Sequence, residues 1–299
     1  MEDILMLNNL RPLLKKSSII YGIVSKLRKK RKSFLRRTLK IKKAAAIEKF
    51  GFFNKKDLYF HCRENGIAPG NILMVHCSLE GMLTYGGSVA ELMEVLFDLV
   101  GSKGTLLMPG LSTNMSSIPP RDFDVLREMT YTGIIPEIFR NTSGVIRSLH
   151  PRHSMCGFGP MAEEILEGHE NCVYADGLGS PWDRLRLFKA KGINLGLMPG
   201  KSLTFHHWVE DIDPEGYPLA VHEGPFECVL INKNGNKIKK SFYRRNNKYK
   251  SRELWFGKKL SSSAVKLTML KGSPISFYDY EALAEDLIQL RDKGIVLCK

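Results

Sequence analysis

Residues 71–110, NILMVHCSLEGMLTYGGSVAELMEVLFDLVGSKGTLLMPG, decide the fold class. NILMVHCSL (71–79) is a short, nearly unbroken apolar run, the pattern of a strand covered on both faces. SVAELMEVLFDLVG (88–101) carries apolar residues at helical spacing and stops at a glycine, and GTLLMPG (104–110) is a second buried strand. KKDLYFHCRENGI (55–67) is amphipathic and predicts a helix that stops near Gly66. Helix, strand, helix, strand in succession indicates an α/β layer fold.

Outward from this core, 111–133 reads as loop, 160–168 as helix and 177–181 as a Gly/Ser/Pro turn. GINLGLMPG (192–200) predicts a strand, and LTFHHWVED (203–211) a helix or helical turn. Residues 217–243 read as a hairpin or meander turning at Asn232–Gly235, and 280–292 as a final helix. The economical organisation is one α/β domain over 51–299, preceded by a helical arm over 1–50.

The 299 residues are 43% hydrophobic and 25% charged, a globular balance that excludes wholesale disorder. No apolar run is long enough to span a bilayer, and acidic Glu2 and Asp3 argue against a secretory signal. The net charge of +14 is concentrated in the arm: residues 1–50 hold 15 Lys/Arg and 3 Asp/Glu, the remainder 30 and 28. A nearly neutral body argues against a nucleic-acid groove. The arm reads either as a solvated helical extension or as a peripheral anchor on an anionic membrane. Six scattered cysteines without a CxxC pair point to neither a zinc knuckle nor a disulfide framework, and fit a reducing cytosol.

Four motifs bear on chemistry. Gly196–Ser202 falls one residue short of a phosphate-binding loop, and Pro199 removes an N–H donor from it. His150 and His153 flank Pro151 and Arg152, a setting for a hydrogen-bonded turn more than for a metal, which the two nearby arginines would repel. His207 and Glu210 are three apart, so a helix over 203–211 puts them on one face, where the carboxylate orients the imidazole as a general base. Thr84-Tyr85-Gly86-Gly87-Ser88 precedes a helix and reads equally as an anion site or as a turn with Ser88 as N-cap.

In order, VHCSLEGM, YGGSVAELMEVL, GTLLMP, GVIRSLHPRHSMCGFGP, GLGSPWDRL, INLGL and TFHHWVED resemble the aminoglycoside 3-N-acetyltransferase family over about residues 55–225. The resemblance implies a layered α/β/α fold with a mixed sheet and transfer of an acetyl group from acetyl-CoA, without a metal, to an amino group of a sugar. It implies His207 as the base, with Glu210 three positions on. It places Cys77, Ser78 and Leu79, with the Tyr85-Gly86-Gly87 turn, at the CoA arm and pyrophosphate. It sets Arg147, Ser148, His150 and Ser154 along the wall beside the thioester. The developing oxyanion needs donors, for which Ser154 or nearby backbone N–H groups are the candidates, and Arg147 is an alternative partner for a CoA phosphate.

Cys77 stands where the family commonly has serine, which raises a ping-pong route through a thiol. Its neighbour His76 alternates to the other strand face, which argues for direct transfer instead. A body that is not acidic favours a neutral or anionic acceptor over a polycation. The resulting expectation is an amino sugar, nucleotide- or lipid-linked, in surface glycan assembly in the cytoplasm, with the arm at the inner leaflet. The competing readings are an aminoglycoside acetyltransferase, a tethered non-catalytic binding protein, and a metal hydrolase built on His150, His153, His206 and His207.

Overall fold

Asn54 begins the α/β unit by capping its first helix. Its side chain accepts from the Lys56 and Asp57 backbone N–H groups, and Asp57 returns a bond to the Asn54 N–H, so α1 (Lys55–Glu64) starts there. The computed structural model describes residues 33–34, 37–116, 120–246 and 248–299, and the chain divides between Gly51 and Phe52. In the first unit, 37–50 form a helix. The arm's expected helical reading over 1–32 lies outside the described residues. No helix among the described residues is long and apolar enough to cross a membrane.

In the second unit β1 (Ile72–Cys77), α2 (Val89–Val100) and β2 (Thr105–Pro109) realise the opening pattern. Ser88 Oγ accepts from the Glu91 N–H at 3.1 Å while Glu91 accepts from the Ser88 N–H at 2.8 Å, and Gly101 ends α2 at φ 61°. Then come β3 (Phe123–Asp124), α3 (Ile134–Arg140), β4 (Ile146–Arg147), β5 (Met155–Phe158), α4 (Ala162–Leu166) and α5 (Pro181–Leu187). They are followed by β6 (Lys191–Leu195), α6 (Trp208–Asp211), β7 (His222–Ile231), β8 (Lys237–Arg245) and α7 (Glu253–Gly257). The chain closes with β9 (Val265–Leu270), β10 (Ser273–Asp279) and α8 (Tyr280–Asp292).

The main sheet has seven strands in the order β4-β5-β2-β1-β6-β10-β9. β2, β1 and β6 are parallel, and β5, β10 and their outer neighbours pair antiparallel, giving a mixed sheet. Central β1 reads as a continuous apolar run because both its faces are covered. Leu73 and Val75 pack with Leu58, Leu92 and Leu96, while Met74 packs with Trp182, Trp208 and Tyr280. A second sheet, β3-β7-β8, closes over Phe123, Leu230 and Phe242.

The structure sharpens the sequence pattern in four places. The strand expected over 192–200 stops at Leu195, because Gly196 turns the chain at φ 69°. The hairpin begins at His222 and runs to Arg245, with Asn232 Oδ1 accepting from Asn234 and Asn236 in the turn. Residues 203–211 form a 3-10 turn, Thr204–His207, followed by the single turn of α6. β9 and β10 complete the sheet edge, where Pro274 and Ser276 conceal the strand pattern.

The exits of β1 and β6 cross at the carboxyl end of the parallel strands. A Cβ at Gly81 would sit 1.8 Å from the Gly196 carbonyl oxygen, so only bare backbone fits on either side. This contact fixes the two loops that carry Cys77–Glu80 and Leu197–Leu203.

Burial pushes His76 down to about 4 and His169 and His206 to about 3. The unfolded chain takes up protons at about pH 6.5 that the folded chain refuses. Stability is therefore full above that pH and falls as pH drops toward the folded values, by on the order of 1–2 kcal/mol per histidine at pH 5. Denaturant midpoints measured at pH 7.5 and 5.5 are expected to fall at the lower pH, and equal midpoints would contradict this burial.

Candidate active site

The 3-10 turn delivers His207 and α6 delivers Glu210 from one short segment pinned by its tryptophan. Trp208 is buried and its Nε1 donates to Asp183 Oδ1 at 2.8 Å, and its ring stacks on Phe205. His207 Nδ1 lies 2.9 Å from Glu210 Oε2. The side chain of Glu210 is 1% exposed and that of His207 20% exposed, so a buried carboxylate backs an imidazole that reaches solvent.

Arg245, at the end of β8, completes the cluster. Its Nη2 donates to Glu210 Oε1 at 2.8 Å, and its Nη1 contacts the His207 ring at Nδ1 and lies 3.2 Å from Nε2. Tyr217 Oη donates to the same Glu210 oxygen at 3.4 Å. Two patterns compete at His207 Nδ1, donation to Glu210 or acceptance from Arg245. Only the first leaves Nε2 without a proton and able to act as a base. Asp211 turns away from His207: it accepts from His222 Nε2 at 2.7 Å and from the Asp176 N–H at 2.8 Å.

A second imidazole–carboxylate pair stands beside the first. His153 Nδ1 is 2.7 Å from Asp176 Oδ2, and its ring centroid is 5.7 Å from that of His207. Trp182 Nε1 donates to the His153 carbonyl at 2.7 Å and holds that loop. Two cavities meet at these rings. The larger, about 660 Å³, lies at the crossing of the β1 and β6 exits. The smaller, about 280 Å³, opens toward β8 and the 112–116 loop. Tyr131, His153 and His207 line both.

Of the residues expected from sequence, His207, Cys77, Ser78 and Leu79 line the larger cavity, and Glu210 lies directly behind His207. The expected turn Tyr85-Gly86-Gly87 lies outside both linings. Tyr85 is buried against Phe53 and donates to the Ser88 carbonyl, so the turn and N-cap reading describes this segment. Arg147, Ser148, His150 and Ser154 line neither cavity. Arg147 spends its donors on Ser154 Oγ and on the Glu128 and Gly110 carbonyls. Ser154 Oγ donates to the Gly110 carbonyl at 2.6 Å, Ser148 Oγ bonds His169, and His150 stacks on the same His169 ring. Their loop neighbour His153 lines both cavities.

The match to a family model spans residues 74–289 and is described as aminoglycoside 3-N-acetyltransferase. The chain belongs to the aminoglycoside 3-N-acetyltransferase family. Among its relatives, aminoglycoside N(3)-acetyltransferase IX of Micromonospora chalcea is 26% identical over 197 residues, 59% of this chain and 67% of that one. Aminoglycoside N(3)-acetyltransferase III of Acinetobacter baumannii is 30% identical over 168 residues, 50% of this chain and 57% of that one. The alignments therefore span roughly three fifths of those relatives' length. Aminoglycoside acetyltransferase AAC(3)-Xa shares the fold at a TM-score of 0.71 and 18% identity, covering 86% of this chain and 99% of that one. AAC-IIIb, solved as a binary complex with CoASH, follows at 0.67 and 22%, covering 81% and 97%.

Within this family site, burial holds His207 well below the ordinary histidine range, and the Arg245 cation lowers it further. Burial also raises the Glu210 carboxyl, while Arg245 opposes that rise. A neutral His207 is the state that accepts a proton. The acid limb of kcat/KM is expected below the ordinary value of about 6.5. Replacing Arg245 by Gln removes a depressing cation, so the limb moves to higher pH, a shift read from rate profiles alongside the variant's thermal midpoint. His207→Ala is expected to lower turnover by at least ~10².

Proposed function

We propose that this chain transfers the acetyl group of acetyl-CoA to an amino group of a sugar, with His207 as general base. The observation that carries this reading is the meeting of two cavities at a pair of carboxylate-backed imidazoles, His153 and His207, of which His207 is the more exposed. The larger falls in the ordinary size range of small-molecule pockets, roughly 300–1,000 Å³, and takes the acyl donor, with Cys77–Leu79 along its side. The smaller takes the acceptor.

In the reaction the acceptor nitrogen attacks the thioester carbonyl carbon as His207 Nε2 takes a proton from that nitrogen. The C–N bond forms, the C–S bond breaks, and the imidazolium returns its proton to the departing thiolate. Glu210 supports the imidazolium and keeps the ring oriented. Tyr131 and His153 frame the passage between donor and acceptor.

Cys77 argues for direct transfer. Burial pushes its thiol up to about 12, and its Sγ lies 3.8 Å from the thioether sulfur of Met82. A thiol so held offers little thiolate to attack an ester. Among the described residues no three His, Cys, Asp or Glu side chains converge as a metal-ligand set. His153, His207 and His222 are each engaged by a carboxylate of their own.

The relatives are named for aminoglycosides, and this makes an aminoglycoside the acceptor class to test first. They lend no support to the glycan-assembly role expected from overall charge. Mixing the chain with acetyl-CoA alone is expected to give no burst of CoA thiol and no acetylated protein by mass spectrometry. Adding an amino-sugar acceptor is expected to start steady thiol release. An acceptor-independent burst would establish a ping-pong route, and absence of acetyl-CoA binding by calorimetry would overturn the reading.

A further inference from the structure

Among the described residues the smaller cavity is lined by three arginines, Arg152, Arg244 and Arg245, and by no aspartate or glutamate. Their surroundings differ. Arg244 Nε sits 2.7 Å from Glu223, and Arg245 Nη2 sits 2.8 Å from Glu210, so each of these cations has a carboxylate behind it. Arg152 is half-buried in the loop between His150 and His153, held by its backbone: its N–H donates to His150 Nδ1 and its carbonyl accepts from the Ser112 N–H. No side-chain hydrogen bond or ion pair within 4 Å holds its guanidinium among the described residues, although its charge acts on the Asp176 and Glu210 carboxylates and lowers both. A cation fixed by its backbone at the wall of a cavity, with its fork of donors unspent, is a receptor for an anion. The larger cavity is different, since its lining holds Glu80, Glu253 and Lys201 and so carries both signs.

We propose that the smaller cavity selects an amino sugar that carries an anionic group, a phosphate or a carboxylate, and that Arg152 receives that group. The proposal rests on the acetyl-transfer reading and narrows its acceptor. At about 280 Å³ the chamber has room for about one substituted sugar ring. A polycation entering it would meet three guanidinium groups in the lining itself, a like-charge arrangement that costs affinity. An acceptor with one amine and one anion suits the layout: the anion meets Arg152 and the amine meets His207 on the same wall. Arg152 is also one of the cations whose field holds His207 low, so a docked anion offsets that field and makes the base stronger in the complex.

The test uses the full-length chain, acetyl-CoA and four probes: glucosamine 6-phosphate, 2-amino-2-deoxyglucuronate, glucosamine and kanamycin. Thiol release gives kcat/KM and calorimetry gives binding. The expected result is a kcat/KM for at least one anionic sugar at least ~10-fold above that for glucosamine, a preference that shrinks with added salt. The two anionic probes separate phosphate from carboxylate recognition. Arg152→Gln is expected to collapse the preference toward one, and Arg152→Lys to retain part of it. Equal use of the anionic sugars and glucosamine, or kanamycin preferred with no response to Arg152→Gln, overturns the proposal. If no acceptor releases thiol, the acetyl-transfer reading falls. Tighter, Arg152-dependent binding of an anionic sugar would then still support the charge selection, and its absence would overturn that too.

Discussion

A carboxylate buried to 1% exposure must be compensated, and Glu210 shows how much of a molecule that requirement organises. One oxygen is held by Arg245 and Tyr217 and the other by His207. Satisfying it brings the end of β8, in the smaller sheet, to α6, a single turn that follows the main sheet's β6. The orientation of the imidazole is a by-product of the same compensation. Removing Arg245 takes away the cation that compensates the Glu210 carboxylate in a region of low dielectric.

The main sheet supplies a rigid support for this cluster. β1 is covered on both faces, and its loop meets that of β6 where two glycines let bare backbone pass. The larger cavity sits at that crossing, at the carboxyl end of parallel strands, where α/β sheets commonly open to ligands. The smaller sheet adds the second wall and brings its arginines with it. The two cavities therefore differ in charge because different parts of the fold build them.

Parts of this were visible in the sequence because they are local. Unbroken apolar runs mark 72–77 and 105–109, and an i, i+3 spacing joins His207 to Glu210 within a single turn. Other parts are assembled from a distance. Nothing near Arg245 signals a partner 35 positions earlier, and nothing near His153 signals Asp176 23 positions later. Arg147, Ser148, His150 and Ser154 belong to a recognisable segment, but the spacing does not tell that Arg147 and Ser154 tie to the Gly110 carbonyl after β2 while Ser148 and His150 pack on His169. β10 escaped notice because a proline and two serines interrupt its apolar character. The neutral average charge of the body likewise conceals how the signs are distributed between one cavity and the other.

The shared wall of Tyr131, His153 and His207 has a consequence for inhibition. Under the proposed assignment of the two chambers, a chemical tether threaded past His207 would join a pantetheine-like tail in one to an aminated ring in the other. The second fragment then binds at the effective concentration set by a few bonds rather than at its bulk concentration. Such a hybrid ligand gains its affinity from the doorway itself, which neither chamber alone provides.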